Sequence, residues 1–432
     1  MILFNAVLLS IIIMTTLCLL RLNVLLSILI SALCAGLLSD FNLVKTTQLI
    51  ISGMSANLET ALSYILLGAI AAAISMTNLT KILIYKISDI ISNKKGIFVI
   101  SIAFFACFSQ NLIPVHIAFI PVLIPPLLNL MSKMKIDRRA VACALTFGLQ
   151  APYISIGAGF GLLFYNILKT EFEHNNILIS ISDIQNVMWL GGVAMFVGLI
   201  LAILYYRKPR KYKVNETNSL NIQKDNLEMT KKEWAVLAGT IVAFGVQIYT
   251  KSIPLGGILG LIVMIVLKGI EWNKVDLVMD NGLKMMAFIA FVMLVAAGFG
   301  NVLRESGAIA ELINFASNLS GGKFGGAIIM LIIGLFITIG IGTSFGTIPI
   351  IATIYIPLCV SLGFSLPATI LLVGIAAAVG DAGSPASDST LGPTSGLNAD
   401  GQHNHIYDTC VPTFVFFNIP LIVFGCIFAL FL

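Results

Sequence analysis

Apolar residues run along this chain in long, almost uncharged stretches whose lengths match a lipid bilayer. A helical crossing needs about 20 apolar residues. Stretches 2–20, 23–38, 60–76, 187–205, 234–250, 253–270, 285–303 and 412–432 fit that description. Four more, 96–131, 139–168, 324–360 and 366–398, are apolar but interrupted by Gly, Pro, Ser, Thr and Asn. Irregular backbone at membrane depth persists only where protein or a water-filled cavity satisfies its polar groups. The interrupted stretches are therefore where a site is expected. The predicted fold class is an all-α polytopic membrane protein.

The polar intervals orient the crossings, because basic loops face the cytoplasm. Segment 206–233 carries Arg207, Lys208, Arg210, Lys211, Lys213, Lys224, Lys231 and Lys232 and reads as cytoplasmic. So do the loop around Lys81, Lys86, Lys94 and Lys95 and the loop of Lys133, Lys135, Arg138 and Arg139. The segment with Glu171, Glu173 and Asp183 reads as external. With alternating crossings, 23–38 runs outward and 60–76 inward, 96–131 starts and ends inside, 139–168 runs outward and 187–205 returns. In the second half, 253–270 runs inward and 285–303 outward, 324–360 starts and ends outside, 366–398 runs inward and 412–432 outward. The order is the same and every direction is reversed. This predicts an inverted-topology repeat with broken helices or re-entrant hairpins, a secondary-transporter architecture.

Local sequence agrees with that pattern. Ser109-Gln110-Asn111-Leu112-Ile113-Pro114 is matched by Ser344-Phe345-Gly346-Thr347-Ile348-Pro349, and a second Ile-Pro follows in each half. Gln150-Ala151-Pro152 answers Gly383-Ser384-Pro385, and the spacings are alike: 38 residues from Pro114 to Pro152, 36 from Pro349 to Pro385. The expected organisation is a first membrane repeat at 1–205, a cytoplasmic linker at 206–233 and a second repeat at 234–432.

Composition closes off other classes. Of 432 residues, 58% are hydrophobic and 10% charged, against about 25% charged in soluble domains. A soluble enzyme, a nucleic-acid binder and a disordered scaffold are excluded. The net charge of +5 reflects loop charges that set orientation. No removable signal peptide is expected, since no basic segment precedes residues 2–20 and Arg21 follows them. The seven cysteines form no C-x-x-C pair and read as small apolar packing residues.

The candidate chemistry sits in the interrupted stretches. Residues 380–396 combine Gly and Pro, which preclude a continuous helix, with Asp381, Ser384, Ser387, Asp388, Ser389 and Thr390. Unwound backbone exposes carbonyls that can coordinate a cation, and flanking half-helix N-termini favour an anion. A carboxylate in low dielectric is costly unless it is paired or protonated. No Lys or Arg occurs in the 109 residues after Lys323, yet Asp381, Asp388, Asp400 and Asp408 do. Asp381 and Asp388 are thus expected to bind a cation or take up a proton. Ser109, Gln110, Asn111, Gln150 and Ser155 form an uncharged counterpart in the first half, and Ser344 and Thr347 join them from the second.

Other motifs carry less. His403 and His405 in Asp400–Asp408 present His-x-His with flanking carboxylates, a loose metal-ligand pattern. No metal is expected there; the reading is a polar loop with a gating or pH-sensing part for the two histidines. Gly342-Thr343-Ser344-Phe345-Gly346 fits G-x-S-x-G but lies at a break in an apolar stretch, not in a strand-to-helix turn. The sequons at Asn78, Asn215 and Asn318 are read as fortuitous.

Residues 380–414, GDAGSPASDSTLGPTSGLNADGQHNHIYDTCVPTF, resemble the signature of a bacterial Na+/H+ antiporter-type family of the ion transporter superfamily, some of whose members are regarded as amino-acid permeases. The resemblance implies an inverted-repeat carrier of the bacterial inner membrane with sites at paired broken elements, often a homodimer. It places Asp381, Ser384, Ser387, Asp388 and Ser389 at the site. The expected function is sodium/proton antiport. The alternative is an ion-coupled carrier of amino acids or small organic solutes. Neither needs a cofactor beyond the coupling ions Na+ or H+. No nucleophile–base constellation appears, so no enzyme activity is expected.

Overall fold

The computed structural model describes residues 5–20, 22–79, 82, 95–111, 116–213, 229–307, 322–385 and 387–432. Those residues are helical, with no strand among them. Helices α1 (Ala6–Leu19) and α2 (Val24–Leu38) fill the first two apolar stretches, and Asn23 caps α2 by accepting the Leu25 N–H at 3.0 Å. Helix α3 (Leu43–Met54) is a short amphipathic segment, and α4 (Leu58–Ser75) follows it. Stretch 96–131 folds as α5 (Lys95–Asn111) and α6 (His116–Lys133). Stretch 139–168 becomes α7 (Arg138–Ser155) and α8 (Phe160–His174), bent by 45° across a four-residue break. Helix α9 (Ile181–Tyr205) starts from a Ser180–Asp183 capping box.

The remaining helices follow from residue 231 onward. Helices α10 (Lys231–Thr250) and α11 (Ile253–Val266) form a hairpin, and α12 (Val275–Glu305) is the longest helix, at 31 residues. Stretch 324–360 divides into α13 (Lys323–Ile341) and α14 (Ser344–Ser361), and 366–398 into α15 (Leu366–Ala378) and α16 (Asp388–Leu397). The last span, α17 (His405–Phe431), contains two π-helical stretches, His405–Cys410 and Phe414–Asn418. Six described helices are long and apolar enough to cross a membrane, or seven with α7–α8 counted as one broken span.

Burial sorts these elements. The apolar window of α14 is 83% buried and that of α9 is 44% buried. Helices α7, α8, α14 and α15, with α4 and the second part of α12, form the interior, and α9 and α17 are more exposed. Helix α12 packs against α2, α3, α4 and α14. Its crossing with α4 is tight: a Cβ on Gly68 would lie 2.6 Å from the Gly282 carbonyl oxygen, the close approach that small residues permit between membrane helices.

Three breaks matter for the site. At 156–159 the chain leaves α7 through Gly159 at φ 57°. Gln185 plugs this gap: its Nε2 donates to the Ser155 carbonyl at 2.8 Å, and its Oε1 accepts the Gly157 N–H at 2.7 Å. At 342–343, Gly342 takes φ 78° between α13 and α14. At 379–387, Gly380 and Gly383 adopt φ 97° and 95°, conformations that other residues strongly resist. Buried side chains satisfy this longest break. Gln150 Nε2 donates to the Ala378 carbonyl at 2.7 Å. Asn418 accepts the Gly380 N–H at 2.9 Å and donates to the Ala382 carbonyl at 2.6 Å. Ser384 Oγ donates to the Ile339 carbonyl at 2.9 Å. Buried side chains thus brace several backbone groups of this break, as helix interruption at membrane depth requires.

Candidate ion and substrate site

The breaks at 342–343 and 379–387 converge on one carboxylate. Asp381 is 5% exposed and is met by hydroxyls from three elements. Its Oδ2 accepts from Tyr153 Oη of α7 and from Ser344 Oγ at the start of α14, each at 2.7 Å. Its Oδ1 accepts from Ser387 Oγ and, at 2.8 Å, from Ser389 Oγ, both at the start of α16. No Lys, Arg or His ion-pairs with it among the described residues.

The hydroxyls also touch each other. Tyr153 Oη and Ser344 Oγ lie 2.7 Å apart, and Ser387 Oγ and Ser389 Oγ 2.8 Å apart. Each carboxylate oxygen is therefore one corner of a triangle of oxygens. A hydroxyl has one proton to donate, so four hydroxyl protons serve six short oxygen–oxygen edges. An added proton or a small cation relieves that deficit.

A cavity of about 50 Å³ opens beside the ring, lined by Asp381, Ser387, Asp388 and Ser389 on one side and Tyr64, Tyr153, Phe160 and Phe345 on the other. That volume holds a few waters or an ion. Asp388 is exposed, and its carboxylate receives no hydrogen bond from a described residue. The Tyr64 hydroxyl is buried without a partner among the described residues. Phe345 is the hub of the aromatic wall, with ring centroids 5.0 Å from Tyr153, 5.9 Å from Tyr64 and 6.1 Å from Phe160. The first turns of α8, α14 and α16 all contribute lining residues. Their positive ends counter the negative charge of the two aspartates.

The expected site residues fall into distinct groups. Ser344, Asp381, Ser387 and Ser389 form the ring, and Asp388 faces the cavity beside it. Gln150 and Ser384 brace the unwound backbone. Ser155 Oγ bonds back to the Ala151 carbonyl at 2.6 Å, and Thr347 Oγ1 to the Thr343 carbonyl at 3.0 Å, each within its own turn. The side chains of Ser109, Gln110 and Asn111 lie outside the described residues. Sequence reasoning missed Tyr153 and the aromatic wall. Tyr153 follows Gln150 by three residues, so it shares a helix face with an already selected polar residue, and that was the available signal.

The remaining aspartates behave differently. Arg138, read above as one charge of a basic cytoplasmic loop, instead begins α7 and is 0% exposed. It binds both oxygens of Asp400 at 2.7 Å, donates to the Leu397 carbonyl at 3.2 Å and to Ser132 Oγ at 3.2 Å, and lies 4.3 Å from the centroid of the Tyr212 ring. The correction has a plain cause: its partner lies 262 residues away, beyond any local reading. Burial alone raises the Asp400 carboxyl, but the paired guanidinium outweighs burial and holds it below its ordinary value. Arg210 likewise holds Asp408 at 2.7 Å. Burial pushes the His403 imidazole down to about 4, against the pull of Asp408, and its Nε2 contacts Thr409 Oγ1 at 2.7 Å. His405 lies 3.0 Å from the Pro385 carbonyl through Nε2 and 2.7 Å from Thr394 Oγ1 through Nδ1, which ties α17 to the unwound segment. At the far end of the broken span, Glu171 pairs with Arg304 at 3.0 Å, and Arg304 also donates to Thr353 at 3.1 Å.

Known proteins resemble this chain at both levels. Residues 144–426 match the model of the Na+/H+ antiporter family, and residues 5–91 match a second model of a Na+-H+ antiporter family. YuiF of Bacillus subtilis, whose name proposes amino acid transport, is 45% identical over 99% of both chains. An uncharacterised membrane protein of Haemophilus influenzae is 44% identical over 99% of both chains. Two solved transporters share the fold. The YdaH transporter of Alcanivorax borkumensis has a TM-score of 0.62 at 13% identity, covering 88% of this chain and 87% of its own. MtrF of Neisseria gonorrhoeae, described within a class of antimetabolite efflux pumps, has a TM-score of 0.62 at 16% identity, covering 90% and 85%.

Proposed function

The chain belongs to the Na+/H+ antiporter family, and from that premise we propose that it exchanges Na+ for protons at the Asp381 ring. One observation carries the reading: a buried carboxylate solvated by four hydroxyls and, among the described residues, by no cationic side chain. In the proton-loaded form, a proton shared by Asp381 and Asp388 neutralises part of their mutual repulsion. Loss of that proton leaves a site of hard oxygens. The hydroxyls of Ser344, Ser387 and Ser389 then turn lone pairs toward an entering Na+, since a hydroxyl both donates and accepts. The two ions compete for one seat, and that competition is what antiport requires. Breaks at paired positions in the two halves fit an inverted repeat that rocks around this seat. The same reading puts the protein in a bacterial inner membrane with linker 206–233 on the cytoplasmic face, as its basic residues suggest. The gating part falls to His405, which bridges α17 and the unwound segment, while His403 stays neutral and braces Thr409.

The aromatic wall supports a second reading. Tyr64, Phe160 and Phe345 opposite a carboxylate suit an organic ammonium group, and helix N-termini suit a carboxylate. An amino acid carries both, in keeping with the name of the Bacillus relative. Purified protein in liposomes with a trapped pH dye separates the two. Na+ added against a proton gradient gives a pH change under the first reading. Silence with every alkali cation, together with a response to one amino acid, selects the second.

A further inference from the structure

A second cavity, of about 70 Å³, lies where the ends of α5, α7 and α9 meet, and it shares no lining residue with the aspartate ring. Its floor is apolar: Val99, Ile136 and Ala140 are each 3% exposed. Its rim carries Lys95, Lys135 and Arg207, all exposed, and none lies within ion-pair distance of an acid among the described residues. The acid in the wall, Asp137, does not neutralise the rim. It is buried, its Oδ2 is held by Arg139 at 2.6 Å, and it faces Arg210 at 3.9 Å.

Setting orientation in a membrane needs only positive loops. It does not need three cations without an acidic partner among the described residues around an apolar hollow. Like charges gathered in this way repel one another unless an anion sits between them. The hollow also lies at the ends of apolar helices, where a membrane surface would run. From it, exposed side chains continue along both flanking helices: Ile100 and Phe104 on α5, Ile200 and Leu204 on α9. Both helices pack on α7.

We propose that this cavity binds the phosphate headgroup of an anionic phospholipid, with its acyl chains lying along α5 and α9. Cationic pockets between membrane helices at the basic face suit that ligand. The inference is independent of what the aspartate ring transports. Through Asp137, Arg210 and Asp408 the pocket adjoins the start of α17.

The test uses the full-length protein in zwitterionic detergent with a fluorescent short-chain phosphatidylglycerol as the probe. Wild type should bind it in clear preference to the phosphatidylcholine analogue. At about fivefold per charge, Lys95→Ala/Lys135→Ala/Arg207→Ala should lower the affinity by about 100-fold. Lys95→Arg/Lys135→Arg should keep it. If the triple variant melts early, Lys135→Glu replaces it and should weaken binding at an unchanged melting midpoint. Equal binding of phosphatidylcholine, or undiminished binding by the folded variants, overturns the proposal. So does complete displacement by millimolar inorganic phosphate, which would mark a site for free anions.

Discussion

Two aspartates with buried carboxylates, 19 residues apart on either side of α16, are stabilised by opposite means. Asp400 is neutralised: both oxygens sit on Arg138, itself held by a backbone carbonyl, a serine and a tyrosine ring. Asp381 is only solvated: four hydroxyls surround it and no cationic side chain among the described residues reaches it. A carboxylate with a fixed guanidinium has no reason to accept another positive charge. A carboxylate with hydroxyls alone keeps that capacity, and its partners can serve a proton or a metal ion. The difference separates a strut from an exchange site, although in sequence both are simply aspartates in the base-free last 109 residues of the chain.

The largest expected effect is on the solvated member. Asp381→Asn should reduce coupled transport to background while the protein still reaches the membrane; transport that persists would break the contrast outright. Asp388→Asn should also abolish coupling, since it removes the partner in proton sharing. Near-normal exchange by that variant would confine the chemistry to the ring. Tyr153→Phe deletes one of the four donors. A hydrogen bond to a charged group is worth about 1.5–3 kcal/mol, so the pH dependence and apparent Na+ affinity should shift by about tenfold or more, with folding intact.

Asp400→Asn should act on the fold instead. It leaves Arg138 buried without its carboxylate, a loss of about 3 kcal/mol, read as a lower melting temperature with near-normal transport per folded molecule. The sign with pH follows from the depressed carboxyl. Its contribution is complete above the ordinary carboxylate range and disappears as pH falls through the lower folded value. Melting temperature should therefore fall more steeply on acidification for wild type than for Asp400→Asn; parallel curves would refute the strut assignment. The smallest effects belong to Ser155→Ala and Thr347→Ala, whose hydroxyls bond within their own turns. Each should stay close to wild type in transport assays.

The fold was largely legible because lipid imposes a length and a polarity on every crossing. Interruptions by Gly and Pro marked the breaks at 156–159, 342–343 and 379–387, since Gly accepts the positive φ found there and Pro cannot continue a helix's hydrogen bonding. Helix α3 escaped notice because its 12 residues mix Lys45, Thr46 and Gln48 with apolar positions, too short and too polar for a span. Within the site, the aspartates and serines of 381–389 stood out because charge and Gly-Pro punctuation coincide there. Tyr153 did not, because an aromatic in an apolar helix looks like packing until its hydroxyl finds a carboxylate. Arg138 was misplaced among loop charges, because only the folded chain brings Asp400 to it.

The most direct measurement counts protons released when Na+ is added to purified protein in weakly buffered detergent solution. If Asp381 is the shared seat, wild type should release protons on Na+ binding, Asp400→Asn should match it, and Asp381→Asn should release none. Release from Asp381→Asn equal to that of wild type would contradict the account and place the exchange on another group.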